Sequence, residues 1–198
     1  MKVGLFGGTF NPVHTAHVIL AEWIRDELKL NSIYFIPTAL PPHKTSDQAI
    51  IDIELRKEMV RLAIQDNPHF KLAEYETDPG NVSYSIDTVR NFLKNHPLGR
   101  DDLFFIIGED NLRILSTWKD PVELSRLCRI VVARRSVDIP VQIPKGIEQP
   151  ILLQTPNIDI SASEIRGRIR EKRSIRYLVP EPVERFIREH KLYEAGSE

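Results

Sequence analysis

Val3-Gly4-Leu5-Phe6-Gly7-Gly8-Thr9-Phe10-Asn11-Pro12-Val13-His14-Thr15-Ala16-His17 decides how this chain is read. The apolar run from Val3 to Phe6 has the length and character of a buried strand. Gly7 and Gly8 predict a turn after it. From about residue 18 to residue 28 the apolar positions recur at helical spacing. The order is strand, glycine turn, helix, with His14 and His17 at the turn-to-helix junction. A glycine has no Cβ, so its backbone can come close to a phosphate. The first turn of a helix offers unpaired N–H groups and the positive end of a dipole. Two imidazoles beside them suit a polyphosphate under attack.

Working outward, strand-like runs fall at residues 2–6, 33–36, 70–72, 103–107, 130–133 and 151–153. Helical patterns lie between most of them. In 52–65, Ile53, Met59, Val60, Ala63 and Ile64 share one side; in 85–94, Ile86, Val89, Phe92 and Leu93 do. This alternation predicts an α/β fold: a Rossmann-like parallel sheet with helices on both faces. Ligands of such sheets bind beyond the carboxyl ends of the strands. The glycine turn, Pro37 and Gly108 fall at those ends. Residues 140–150 hold three prolines and a glycine and read as an irregular connector. From about residue 160 the chain is helical again, with Pro182 suited to a first helical position and Val183, Phe186 and Ile187 as an apolar stripe. There is no internal repeat, and the expectation is a single domain over residues 1–198.

Composition narrows the function classes. The chain has 198 residues, with 27 Lys+Arg against 28 Asp+Glu and a formal net charge of −1. That length can bury a full core without disulfide or metal support. The balanced charge calls for neither nucleic acid nor an anionic membrane. Cys128, the single cysteine, lies in an apolar run and reads as buried and inert. No intramolecular disulfide can form, which fits a reducing, cytoplasmic setting. The apolar start is too short for a signal-peptide core, and no run approaches the ~20 residues of a membrane span. Homo-oligomerisation is left open.

The glycine turn is neither a Walker A loop nor a dinucleotide fingerprint, since no G-x-G-x-x-G and no G-K-[ST] occurs there. His14 and His17 are three apart and share a helical face. Zinc is one reading of that spacing, but H-E-x-x-H is absent and no cysteine or carboxylate stands near at ligand spacing. A capping His14 with a packed His17 is another. In Ile160-Ser161-Ala162-Ser163-Glu164-Ile165-Arg166, Ser161 and Glu164 form a capping box that starts a helix. Capping does not account for Ser163 and Arg166, which with the free N–H groups suit an anion. In Ile107-Gly108-Glu109-Asp110 an acidic residue at the ligand edge can accept from ribose hydroxyls. Trp118 suits stacking on a ring or packing in the core. Lys44, in Pro41-Pro42-His43-Lys44, suits a phosphate or plain solvent. Arg134 and Arg135, just past a strand end, favour phosphate.

Taken together these motifs resemble the adenylyltransferases of the nucleotidyltransferase superfamily. The first is similar to their GGTFDPxHxGH signature and the last to their ISSTxIR signature. Pro42-His43-Lys44, Ser83-Tyr84-Ser85-Ile86-Asp87-Thr88, and Ile107-Gly108-Glu109-Asp110 with Trp118 narrow the resemblance to the bacterial nicotinate-nucleotide adenylyltransferases. The resemblance implies transfer of an adenylyl group from ATP to nicotinate mononucleotide, with Mg²⁺, giving deamido-NAD and pyrophosphate. It implies that His14 and His17 contact the ATP phosphates. Gly7, Gly8, Thr9 and Phe10 would hold the nucleotide, and Ser161, Ser163 and Arg166 the triphosphate, with Arg134 a further cation. Lys44 would face the mononucleotide phosphate, Gly108 and Asp110 would serve the ribose, Trp118 would stack on the pyridine ring and Ser85 would lie near its carboxylate. No metal-binding side chain is expected.

The chain departs from the pattern at four places. Asn11 stands where the family usually has Asp, and Ala16 replaces the glycine of HxGH. Ala162-Ser163 replaces Ser-Thr, and Arg135-Ser136 replaces the common Pro-Gly. Ser163 keeps the hydroxyl; Asn11 keeps the shape of Asp and loses its charge. Other acceptors are served by related folds, nicotinamide mononucleotide, phosphopantetheine and glycerol-3-phosphate among them. A nucleotide-binding regulatory protein without catalysis and a small zinc hydrolase are the readings from other classes.

Overall fold

The computed structural model describes residues 1–38, 50–73, 84–134 and 142–194. Six strands form one sheet: β1 (Val3–Gly8), β2 (Ser32–Pro37), β3 (Phe70–Leu72), β4 (Leu103–Gly108), β5 (Arg129–Arg134) and β6 (Ile151–Gln154). Their order is β3-β2-β1-β4-β5-β6, and every neighbouring pair is parallel. That is the doubly wound order, in which the direction of winding reverses between β1 and β4. The six apolar runs of the sequence are these six strands: β3 matches its run at both ends, β1 begins one residue later and ends two later than its run, and the other four gain one or two residues.

Alternate residues of each strand face opposite layers. Phe6, Phe35, Ile106 and Val131 pack in one core cluster, and Leu5, Ile36, Phe105 and Val132 in the other. Helices α1 (Thr15–Glu27), α2 (Ile53–Ile64), α3 (Ser85–Asn95), α4 (Glu109–Ile114), α5 (Pro121–Leu127), α6 (Ala162–Arg170) and α7 (Glu181–Glu189) complete the described chain. Ile24 of α1, Met59 of α2, Ile165 of α6 and Val183 of α7 enter the first cluster. Ile86 of α3, Leu112 of α4 and Leu124 of α5 enter the second. Cys128 is fully buried, its thiol pushed up to about 12 by desolvation, as its apolar surroundings dictate. Residues 142–150 carry no helix or strand, and Pro182 falls in the first turn of α7.

Two expectations need correcting. Gly7 and Gly8 are not a turn; they are the last two residues of β1, in register with Ile36 and Pro37 of β2. A Cβ on Gly8 would lie 2.8 Å from the Phe10 ring, which folds back over it from a backbone φ of 47°. Gly8 therefore makes room for an aromatic side chain. Helix α1 begins at Thr15, three residues earlier than its apolar pattern, so His17 lies within its first turn. The N–H of Thr15 is already committed to the Leu178 carbonyl at 2.9 Å, which leaves less of the helix end open to an anion than the sequence suggested.

Candidate active site

A cavity of about 950 Å³ opens where the sheet order reverses. Ligand clefts run to roughly 300–1,000 Å³, so this one has room for two substrates side by side. Gly7, Gly8, Thr9, Phe10, His14 and His17 line it from β1, α1 and the stretch between them. Ser161, Ser163 and Arg166 line it at the start of α6, and Ser85, Gly108, Asp110 and Trp118 line it from α3, β4, α4 and the chain after α4. Arg134 stands behind the wall: it is buried, and its Nε lies 3.8 Å from Glu109 Oε2. Lys44, with Pro42, His43, Ser83 and Arg135, lies outside the described residues.

The two histidines are built by local helix chemistry. His14 is the N-cap of α1, and its backbone N–H donates to His17 Nδ1 at 3.2 Å. His17 thus reaches back from the third helical position as the glutamate of a capping box does. Nδ1 accepts, so the neutral ring carries its proton on Nε2, leaving that nitrogen a donor. The two rings stack at 3.6 Å, and Phe10 packs edge-on against His17 at 5.0 Å. The Phe10 side chain is buried in the core and supports His17.

Desolvation lowers the pKa of His14 from 6.5 to about 4, and desolvation with His14 beside it lowers that of His17 well below 6.5. Both are neutral at pH 7 in the free protein, so they serve as hydrogen-bond donors and not as standing cations. Folded-state values below the unfolded one mean that the unfolded chain binds more protons as pH falls. Stability is complete above about pH 6.5 and declines toward pH 4, by at most about 1.4 kcal/mol per pH unit for each histidine. Urea midpoints at pH 7 and pH 4.5 check this: His14→Gln is expected to shrink the difference, and an unchanged difference would refute the assignment.

Arg166 joins the segment after β1 to the start of α6. Its Nη1 donates to the Asn11 carbonyl at 2.7 Å and its Nη2 to Ser163 Oγ at 3.4 Å, while its buried Nε has no hydrogen-bond partner among the described residues. Ser161 caps α6 by accepting the Glu164 N–H at 3.1 Å, so its own O–H remains a donor. The other part of the cavity is set by Lys119. It donates to Asp87 of α3 at 2.8 Å and lies over the Tyr84 ring at 4.8 Å, which ties the chain beside Trp118 to the start of α3, where Ser85 sits. Trp118 is half-buried and meets Phe105 edge-on at 6.3 Å.

Sequence reasoning missed Arg56. It is 1% exposed, and its Nη1 donates to the carbonyls of Thr9 at 2.8 Å and Thr38 at 2.6 Å, its Nε to that of Ile51 at 3.0 Å. The signal was present: Arg56 stands three residues from Ile53 and from Met59, on the apolar face of α2, where a surface arginine does not belong. Glu109, between Arg134 and Arg113 at 3.8 and 3.7 Å, was noted in its motif but given no place of its own in the site. Among the described residues no three His, Cys, Asp or Glu side chains cluster as a metal cage, so His14 and His17 have no third ligand of that kind.

A cytidylyltransferase-like family model matches residues 5–168. The chain belongs to the cytidylyltransferase-like family. The matched segment runs from β1 to α6 and holds every described cavity residue singled out above, including both histidines and Arg166. This cytidylyltransferase-like chain is 38% identical to a Geotalea daltonii protein named "Probable nicotinate-nucleotide adenylyltransferase", over 99% of this chain and 100% of that one. It is also 38% identical to a Bacillus pumilus protein of the same name, over 98% of this chain and 99% of that one. Its fold is similar to that of Plasmodium falciparum nicotinic acid mononucleotide adenylyltransferase complexed with NaAD, with a TM-score of 0.76 at 17% identity and 97% of each chain covered. No helix among the described residues is long and apolar enough to cross a membrane.

Proposed function

We propose that the protein transfers the adenylyl group of ATP to nicotinate mononucleotide, giving deamido-NAD and pyrophosphate, as a step of NAD biosynthesis in the cytoplasm. One observation carries the reading. A single cavity joins the His14, His17 and Arg166 cluster to the Trp118 and Ser85 side. The names borne by relatives at 38% identity over nearly full length support it.

The acceptor phosphate has a second pKa of about 6, so it is largely ionised at pH 7 and needs no general base. One of its oxygens attacks the α-phosphorus of ATP in line. The bond from that phosphorus to the bridging β-oxygen breaks, and pyrophosphate leaves with the electron pair. The obstacle is bringing one anion onto another, so positioning and preorganised donors do the catalysis. His17 Nε2–H, the Ser161 and Ser163 hydroxyls and Arg166 meet the triphosphate; Arg134 adds positive charge behind them. Lys44 takes the acceptor phosphate, Asp110 the ribose hydroxyls, and Trp118 the pyridine ring with Ser85 near its carboxylate. Mg²⁺, brought with ATP on its phosphates, would supply charge neutralisation there, and no side chain of this chain is assigned to it. The side chains His17, Ser161, Ser163 and Arg166 on the triphosphate side can donate to the phosphate oxygens of ATP.

A panel of acceptors with ATP and Mg²⁺, followed by pyrophosphate release, tests the proposal. Nicotinate mononucleotide is expected to exceed nicotinamide mononucleotide by at least tenfold in kcat/KM, with phosphopantetheine and glycerol-3-phosphate inactive. Equal use of the two mononucleotides would assign the same transfer to a broader acceptor. ATP binding with no turnover on any of them would make the protein a nucleotide-binding regulator.

A further inference from the structure

Tyr193 comes after the last helix, beyond the segment that matches the family, yet it reaches Asn11, which lines the cavity. It is 8% exposed and packs in the same core cluster as Phe10 and Ile165. Its hydroxyl donates to Asn11 Oδ1 at 2.8 Å, and the Ile51 N–H approaches the same oxygen at 3.5 Å. The backbone carbonyl of Asn11 is the one that holds Arg166, and the carbonyl two residues earlier, on Thr9, is held by Arg56. Burial raises the pKa of the Tyr193 phenol, so it stays an O–H donor at any physiological pH. Between these contacts lies Phe10, at a φ of 47° that a non-glycine residue keeps only when its surroundings enforce it.

We propose that Tyr193 is a positioning residue of the nucleotide site: by holding Asn11 it pre-sets the 9–14 segment for ATP without touching the nucleotide. The inference rests on the adenylyl-transfer reading and adds the chain's C-terminal segment to its machinery. One neutral hydrogen bond in an apolar setting is worth about tenfold in an equilibrium. Without it, the binding-competent arrangement becomes the minor one, and the apparent affinity for ATP falls by its population. Saturating ATP restores that arrangement, so the loss belongs to binding and not to the chemical step.

Tyr193→Phe removes only the hydroxyl and keeps the packing. Calorimetry with ATP alone is expected to give a Kd about three- to fivefold higher, as the competent population falls from about one half or more to about a quarter or less, the KM for ATP to rise equally, and kcat at saturating ATP to stay within about threefold. A merely structural tyrosine would lower Tm and leave ATP affinity unmoved. Because the effect runs through Asn11, the double variant with Asn11→Ala is expected to bind ATP no more weakly than Asn11→Ala alone. An ATP Kd within twofold of the parent in Y193F overturns the proposal; so does a kcat loss at unchanged Kd, or the full Y193F penalty added to that of N11A. If N11A does not fold, the Y193F titration decides alone. A parent protein that binds ATP and turns over no acceptor overturns the adenylyl-transfer reading and leaves this test standing; one that binds no ATP overturns both.

Discussion

His17→Ala is expected to lower turnover at saturating ATP by about 100-fold or more, the size of losing one preorganised donor aimed at developing charge. Substitution deletes the Nε2–H that the Nδ1 contact to the His14 N–H leaves free. It also deletes the partner of the His14 ring, stacked at 3.6 Å, and so loosens the second imidazole. The structural cost is smaller. Losing this reciprocal cap at the start of α1 is worth about 1 kcal/mol, a few degrees of Tm. Pyrophosphate release and circular dichroism on one preparation separate the two effects. His17→Gln retains an amide that can serve the cap, and is expected to recover Tm more than turnover. Near-normal turnover in His17→Ala would remove His17 from the site.

Arg56→Met is expected to cost about 3 kcal/mol of stability or more, which for a chain of this size is a fall of roughly 6–12 °C in Tm. Methionine fills much of the volume and supplies no donor. The carbonyls of Thr9, Thr38 and Ile51 then lose the guanidinium that binds all three. Desolvation lowers the pKa of this arginine from its usual value, with Tyr193 and Asp52 opposing, yet its intrinsic value is so high that it stays charged. The three contacts are therefore charge-assisted, each stronger than a neutral hydrogen bond. Arg56→Lys is expected to recover only part of the loss, because one ammonium does not reproduce the planar fork. Thermal melts of the three proteins check this, and equal Tm values would show that the clamp carries no energy.

The strands were legible because each is a short apolar run bounded by turn residues or by a helical pattern, and a parallel sheet covered on both faces asks for nothing subtler. Helices α4 and α5 were not, since six or seven residues give too few turns for a period to stand out. The start of α6 could be placed at Ser161 because capping fixes a helix start locally. The histidine pair stands out in the sequence by its spacing, but its charge state does not. Its neutrality comes from burial against Phe6 and Phe10, which spacing alone does not encode. Arg56 and Tyr193 owe their roles to carbonyl and amide oxygens far away in sequence, and only the tertiary fold brings those together.

The alternation of side chains across the sheet has an evolutionary consequence. Phe6 touches Phe10 and His17 on one side, whereas Phe105, on the next strand but the opposite side, touches Trp118. The layer under the histidine pair and the layer under Trp118 are thus distinct hydrophobic clusters separated by a single backbone sheet. Under the proposed reaction, substitutions accumulating in the layer beneath Trp118 reshape the acceptor side while the layer beneath the histidines keeps its inherited packing. Such a sheet lets a lineage exchange the molecule being adenylylated and retain the donor of the adenylyl group, the two halves of the reaction drifting at independent rates.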